Sequence, residues 1–228
     1  MDGRWYGRLG LAGVSGFILL LGLLHVLEPG FSVVDDYTSD YALGDAGWLM
    51  RVAFASAALG VAGVALGLRA VLLPGRRVVL AWRLLLVSAA GFVLVSIFDT
   101  DPTAATEMTT HGTVHVAAAA VIFLCLLIAC WVLRGVFARD PAWRGFAGAQ
   151  RWWAIAYSAT FVDSFFLPTP AGIGQRLFVA VLMAWLFTVA WRLQGVGVDE
   201  PGPDDGSAVR PATETPGGNR SQAFPGQS

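Results

Sequence analysis

Residues 112–136 read GTVHVAAAAVIFLCLLIACWVLRGV, and the 18 positions from Val116 to Leu133 hold no charged or hydroxyl side chain. An amphipathic surface helix needs a polar face, which this run lacks. At 1.5 Å of rise per residue, about 20 such residues cover the ~30 Å hydrocarbon core of a bilayer. The stretch therefore reads as a transmembrane helix.

Working outward, charged or Pro/Gly-rich breaks cut out further apolar runs, giving six in all: about 9–27, 48–73, 78–98, 112–136, 152–167 and 173–193. The fifth is the shortest, interrupted by Ser158, Thr160 and Asp163 and stopped by Pro168-Thr169-Pro170. Composition agrees, since 56% of the 228 residues are hydrophobic and 14% charged. The run after Arg4 and Arg8 is too long for a signal-peptide core and lacks a small-x-small cleavage site, so it is read as the first span. The expected fold is an all-α membrane protein, a bundle of six transmembrane helices over residues 1–195. Residues 196–228 turn to Gly, Pro, Asp, Ser and Thr, which predicts a disordered cytoplasmic tail.

Charge alternates along this pattern. Arg4 and Arg8 precede the first run, Arg69, Arg76 and Arg77 sit between the second and third, and Arg134, Arg139, Arg144 and Arg151 sit between the fourth and fifth. The connections 28–47 and 99–110 carry no arginine but hold Glu28, Asp35, Asp36, Asp40, Asp45, Asp99, Asp101 and Glu107. Arginine-rich connections stay in the cytoplasm, which places both termini there. Trp48, Trp143, Trp152, Trp153 and Trp191 fall near span ends, as an interfacial belt requires, and Gly60, Gly63 and Gly67 suit close helix packing.

Several chemistries are excluded or left without support. There is no lysine, hence no Schiff-base nucleophile. Cys125 and Cys130 lie five apart in one helical run and cannot bridge each other. No phosphate-binding glycine loop, serine elbow or basic nucleic-acid patch is present, so the bilayer is the expected partner and nucleic acid is not.

Ionisable groups inside lipid are costly and mark candidate sites. His25, His115 and Asp163 lie within about 4–7 Å of the acidic ends of their spans, Asp99 closes the third span there, and Arg51 and Arg176 begin the second and sixth. His111 and His115 are four apart and share one helical face if the fourth helix includes both. With Asp99, Asp101, His25 or Asp163 as a third ligand they can hold a divalent metal such as zinc, whose bound water would serve hydrolysis of a lipid amide or ester. The competing readings are a charge-neutralising network without ligand, and a site for a small molecule, ion or lipid headgroup, for which Arg51 and Arg176 suit an anion.

Three segments together resemble a known family. Asp36-Tyr37-Thr38-Ser39-Asp40-Tyr41-Ala42-Leu43-Gly44 with Gly47-Trp48-Leu49-Met50 resembles the first outer loop of the bacterial membrane-protein family called domain of unknown function 998. Phe98-Asp99-Thr100-Asp101-Pro102 with His111-Gly112 and His115 resembles its central motif, and Gly172-Ile173-Gly174-Gln175-Arg176-Leu177 the start of its last helix. The resemblance implies about six spans in a bacterial cytoplasmic (inner) membrane and carries no established activity. The family pattern has Pro where this chain has Asp99, which makes Asp101 the carboxylate to build on. The leading expectation is thus a binding protein of transporter or accessory type with a polar outward-facing site.

Overall fold

The computed structural model describes residues 3–102 and 105–196. Long helices dominate: α1 (Gly3–Leu27), α2 (Gly47–Val71), α3 (Arg76–Ile97), α4 (Thr110–Phe137), α5 (Ala147–Phe166) and α6 (Ala171–Gly195), and no strand occurs among the described residues. The tail expected over 196–228 lies, apart from Val196, outside the described residues. Five of the helices, all but α5, are long and apolar enough to cross a membrane. Side chains such as Leu19 and Val26, 71% and 75% exposed, cover the outside of the bundle. Such a surface suits lipid and is untenable in water.

The helices run alternately up and down, as the hydrogen bonds at the two ends require. At one end Arg51 of α2 meets Asp99 beyond α3, and His25 of α1 meets Arg176 of α6. At the other, Asp140 beyond α4 accepts from the Leu73 N–H beyond α2, and Arg192 of α6 donates to the Ala142 carbonyl. Each helix packs on its successor, and α6 returns to touch α1 and α2, closing the bundle. The arginines between α2 and α3 and between α4 and α5 thus share one end, and the acidic connections share the other.

Lipid supplies no hydrophobic push between helices, so close backbone approach must hold them. A Cβ on Gly13 of α1 would fall on the Gly60 backbone of α2, and one on Gly63 would press the Gly10 backbone. Both helices therefore contribute a glycine strip, of which only the α2 half was anticipated. Deeper in, Gln150 donates to the Cys130 carbonyl (2.8 Å) and accepts from the Trp185 indole N–H (3.0 Å), joining α4, α5 and α6. Both cysteines are free.

Three expectations need correction, the first being that α1 begins at Gly3, six residues before the expected start of the first span. Trp143 is not an interfacial anchor: it is fully buried, stacked on Phe137 at 4.4 Å between ring centroids, with the Arg192 guanidinium 5.4 Å from its own ring. Its approach to both the Phe137 ring and a cation outweighs the pull of the interface. The helix expected over 152–167 begins five residues earlier, at Ala147, because Gln150 is used inside the bundle rather than in a loop.

Candidate functional site

The acidic end holds the site candidates, and the structure sorts them by task. Asp101 accepts from the Thr109 N–H and hydroxyl, both at 2.8 Å, while the Thr109 hydroxyl accepts from Gly112 N–H at 3.0 Å and caps α4. A Cβ at residue 112 would strike the Asp101 carboxylate, which accounts for glycine there. Asp99, two residues earlier, takes Arg51 with both carboxylate oxygens, at 2.9 and 2.5 Å. Asp163 is used locally, accepting from the Thr169 hydroxyl at 2.8 Å.

The two histidines of the central motif do not act as a pair. His111 is exposed and its ring lies 5.2 Å from that of Phe98. His115 is buried; its Nδ1–H donates to the Phe98 carbonyl at 2.8 Å, and its ring meets Phe54 edge-on. Among the described residues no group of three His, Cys, Asp or Glu side chains is placed to hold a metal ion. His111, His115 and Asp101 clasp the end of α3 to the start of α4.

The other convergence was not foreseen as a unit. The first turns of α6 grip the connection between α1 and α2. Gln175 accepts from both the N–H and the hydroxyl of Thr38, at 2.6 and 2.7 Å, and the Ile173 N–H donates to the Val34 carbonyl at 3.2 Å. Gly172 leaves room for the Val33 and Asp36 carbonyls, where any Cβ would collide. Arg176 then gathers five acceptors: His25 Nε2 (3.0 Å), the carbonyls of Val33 (3.0 Å), Asp36 (2.7 Å) and Gly172 (3.1 Å), and the Tyr41 hydroxyl (3.2 Å). His25 Nδ1–H donates to the Leu21 carbonyl at 2.7 Å, which fixes the tautomer and frees Nε2 to accept. All five acceptors are neutral. Arg51, by contrast, is matched by a carboxylate.

Arg176 and His25 stand at the head of a groove of about 570 Å³ between α1 and α6. Below them its walls are apolar, formed by Phe17 and Leu21 of α1 and Met183 and Phe187 of α6. From Arg176 to Phe187 the groove descends about 16 Å, roughly half the hydrocarbon thickness. A second, smaller cavity of about 40 Å³ lies inward of it, lined in part by His115, Thr38, Ser39 and Gln175. Phe17, Val179 and Met183 border both spaces and so form the wall between them. That volume is room for about one water molecule.

Thr38, Ser39, Tyr41 and Gln175 carry no ionisation that marks them as site residues within a membrane chain. The signal was available: all four sit in the segments that carry the family resemblance, and Thr38, Ser39 and Tyr41 are buried in a connection that composition reads as solvent-facing. Those segments are not scattered over the molecule. The first-loop stretch, the α3–α4 clasp and the α6 start meet around the small cavity, through Thr38 and Ser39, His115 and Gln175 respectively.

The fold and this end of the bundle define a multi-pass helical membrane protein with a polar cluster above a lipid-facing apolar groove. The chain belongs to the family described as Protein of unknown function (DUF998), whose model matches residues 11–192. No curated protein matches it, and no solved structure does.

Proposed function

We propose that this protein binds an anionic amphiphile, taking its apolar chain into the α1–α6 groove and its headgroup at Arg176, as a transporter or accessory component of the membrane. The observation that carries this reading is a half-buried arginine whose acceptors are all neutral, set at the head of an apolar channel. Holding a cation near hydrocarbon is costly, and an arriving anion offsets that cost. Nη2 carries two N–H groups and gives one to Tyr41, so a donor remains for a ligand oxygen. A charge-assisted hydrogen bond there contributes about 1.5–3 kcal/mol. Within the same proposal, α5 crosses as the sixth span, both termini lie in the cytoplasm and the groove opens to the outer leaflet of a bacterial cytoplasmic membrane, following the arginine asymmetry.

Gly22 lines the groove, and a Cβ there would meet nothing within 4 Å. Gly22→Phe therefore fills the groove without disturbing the Arg176 cluster. Lipid extracted from the purified full chain and quantified by mass spectrometry should show an anionic amphiphile retained by the wild type and depleted in this variant at unchanged thermal stability. Equal retention in both rules out the groove as the site.

A further inference from the structure

The opposite end of the bundle carries a concentration of positive charge that the reading above does not use. Three elements of structure bring it together. The turn Leu73-Pro74-Gly75 between α2 and α3, the start of α3 and the end of α4 enclose a recess of about 260 Å³, lined by Arg76, Arg77, Arg139, Val136 and Asp140 among others. Gly75, before the first turn of α3, provides no side-chain cap, and the backbone N–H groups there point outward as at any helix start. The three arginines are exposed and long enough to turn their guanidinium groups inward or outward.

Among the described residues the recess has one carboxylate, Asp140, and it is already committed. It is buried, with Oδ2 accepting from the Leu73 N–H at 3.1 Å and Oδ1 from the Ala142 N–H at 3.0 Å. It therefore shapes the wall of the recess rather than neutralising the arginines. Arg139 is oriented by its bond to the Gly135 carbonyl at 3.1 Å, again a neutral acceptor. Three cations, an uncapped helix start and a headgroup-sized concavity at a membrane-facing end share one complementary chemistry, that of a phosphate ester.

We propose that this recess binds the phosphodiester headgroup of an anionic phospholipid from the leaflet at the arginine-rich end, as a site separate from the Arg176 groove. Arg76, Arg77 and Arg139 supply the charge-assisted donors, the first N–H groups of α3 complete the cradle, and the lipid chains run down the outside of α3 and α4. A headgroup seated here pins the α2–α3 turn to the end of α4, the contact that Asp140 already makes from the inside.

The test uses the purified full chain in neutral detergent, titrated with phosphatidylglycerol, with phosphatidylcholine and with inorganic phosphate, and read by native mass spectrometry. An Arg176→Gln background removes the contribution of the other site, so failure of one proposal is distinguishable from failure of the other. In that background the protein should retain one phosphatidylglycerol in preference to phosphatidylcholine, and Arg76→Gln, Arg77→Gln and Arg139→Gln should each weaken it about tenfold or more. Single substitutions at these exposed positions leave the core intact, and thermal unfolding verifies it for each. The proposal is overturned if the folded glutamine variants bind phosphatidylglycerol as the parent does, or if both lipids bind equally. It is also overturned if inorganic phosphate alone saturates the site and excludes the lipid, since the ligand would then be a free anion.

Discussion

Asp99 and Asp101 stand two residues apart and have unrelated tasks, which sequence spacing alone could not separate. Asp99 holds an arginine that is about half exposed, and exposed ion pairs contribute little, roughly 0–1 kcal/mol. Asp101 secures Thr109 and through it the start of α4, where a lost cap costs about 0.5–2 kcal/mol. Asp101→Ala should thus lower the midpoint of thermal unfolding in detergent clearly more than Asp99→Ala; the reverse order would show that the Arg51 pair, not the cap, secures this end. The same distinction applies to the histidines. Their four-residue spacing was legible and α4 includes both, but which atoms they touch depends on Phe98, seventeen residues before His115 and brought there only by the α3–α4 turn.

At the scale of the helices, glycine spacing has opposite meanings within α1. Gly13 is wedged against the Gly60 backbone, whereas Gly22 faces the groove with open space around its Cα. Gly13→Leu should force α1 away from α2 and cost about 1–3 kcal/mol or more through overpacking, read as loss of folded monodisperse protein. Gly22→Leu should fold as well as the wild type and gain slightly in helix propensity. Tolerance of both substitutions would mean that α1 and α2 do not meet along this strip. Hydropathy located four of the six helices, α2, α3, α4 and α6, to within a few residues, because the length of an apolar run is a local property. It underestimated α1, whose first turns carry Arg4 and Arg8, and α5, whose first turns carry Gln150 and Arg151, since polar residues at a helix start look in sequence like loop residues.

For the whole molecule the testable consequence is sidedness. With Cys125 and Cys130 replaced by alanine, single cysteines at Asp35, Gly75 and Ala142 should divide into one site labelled from outside intact cells and two labelled only after permeabilisation. All three positions are exposed, so failure to label reports the membrane rather than burial. Labelling of Ala142→Cys from the same side as Asp35→Cys would overturn the orientation proposed for α4. A further substitution in the tail, such as Ser207→Cys, then reports whether α5 crosses: it should follow Gly75→Cys if all six helices span.

The sequence by itself determined that the chain is helical and apolar in blocks, that its charges segregate between connections, and which segments carry the family resemblance, because each is readable from composition along a few consecutive residues. Only the tertiary structure decided that the central motif is a clasp and that, among the described residues, Arg51 is matched by a carboxylate whereas the acceptors of Arg176 are neutral. It alone joined residues 33–41 to residues 172–176 above a groove. The clasp depends on pairings 8 and 17 residues apart and the Arg176 cluster on pairings across more than a hundred, and hydrogen bonds that close loops of either length leave no periodicity for a sequence to show.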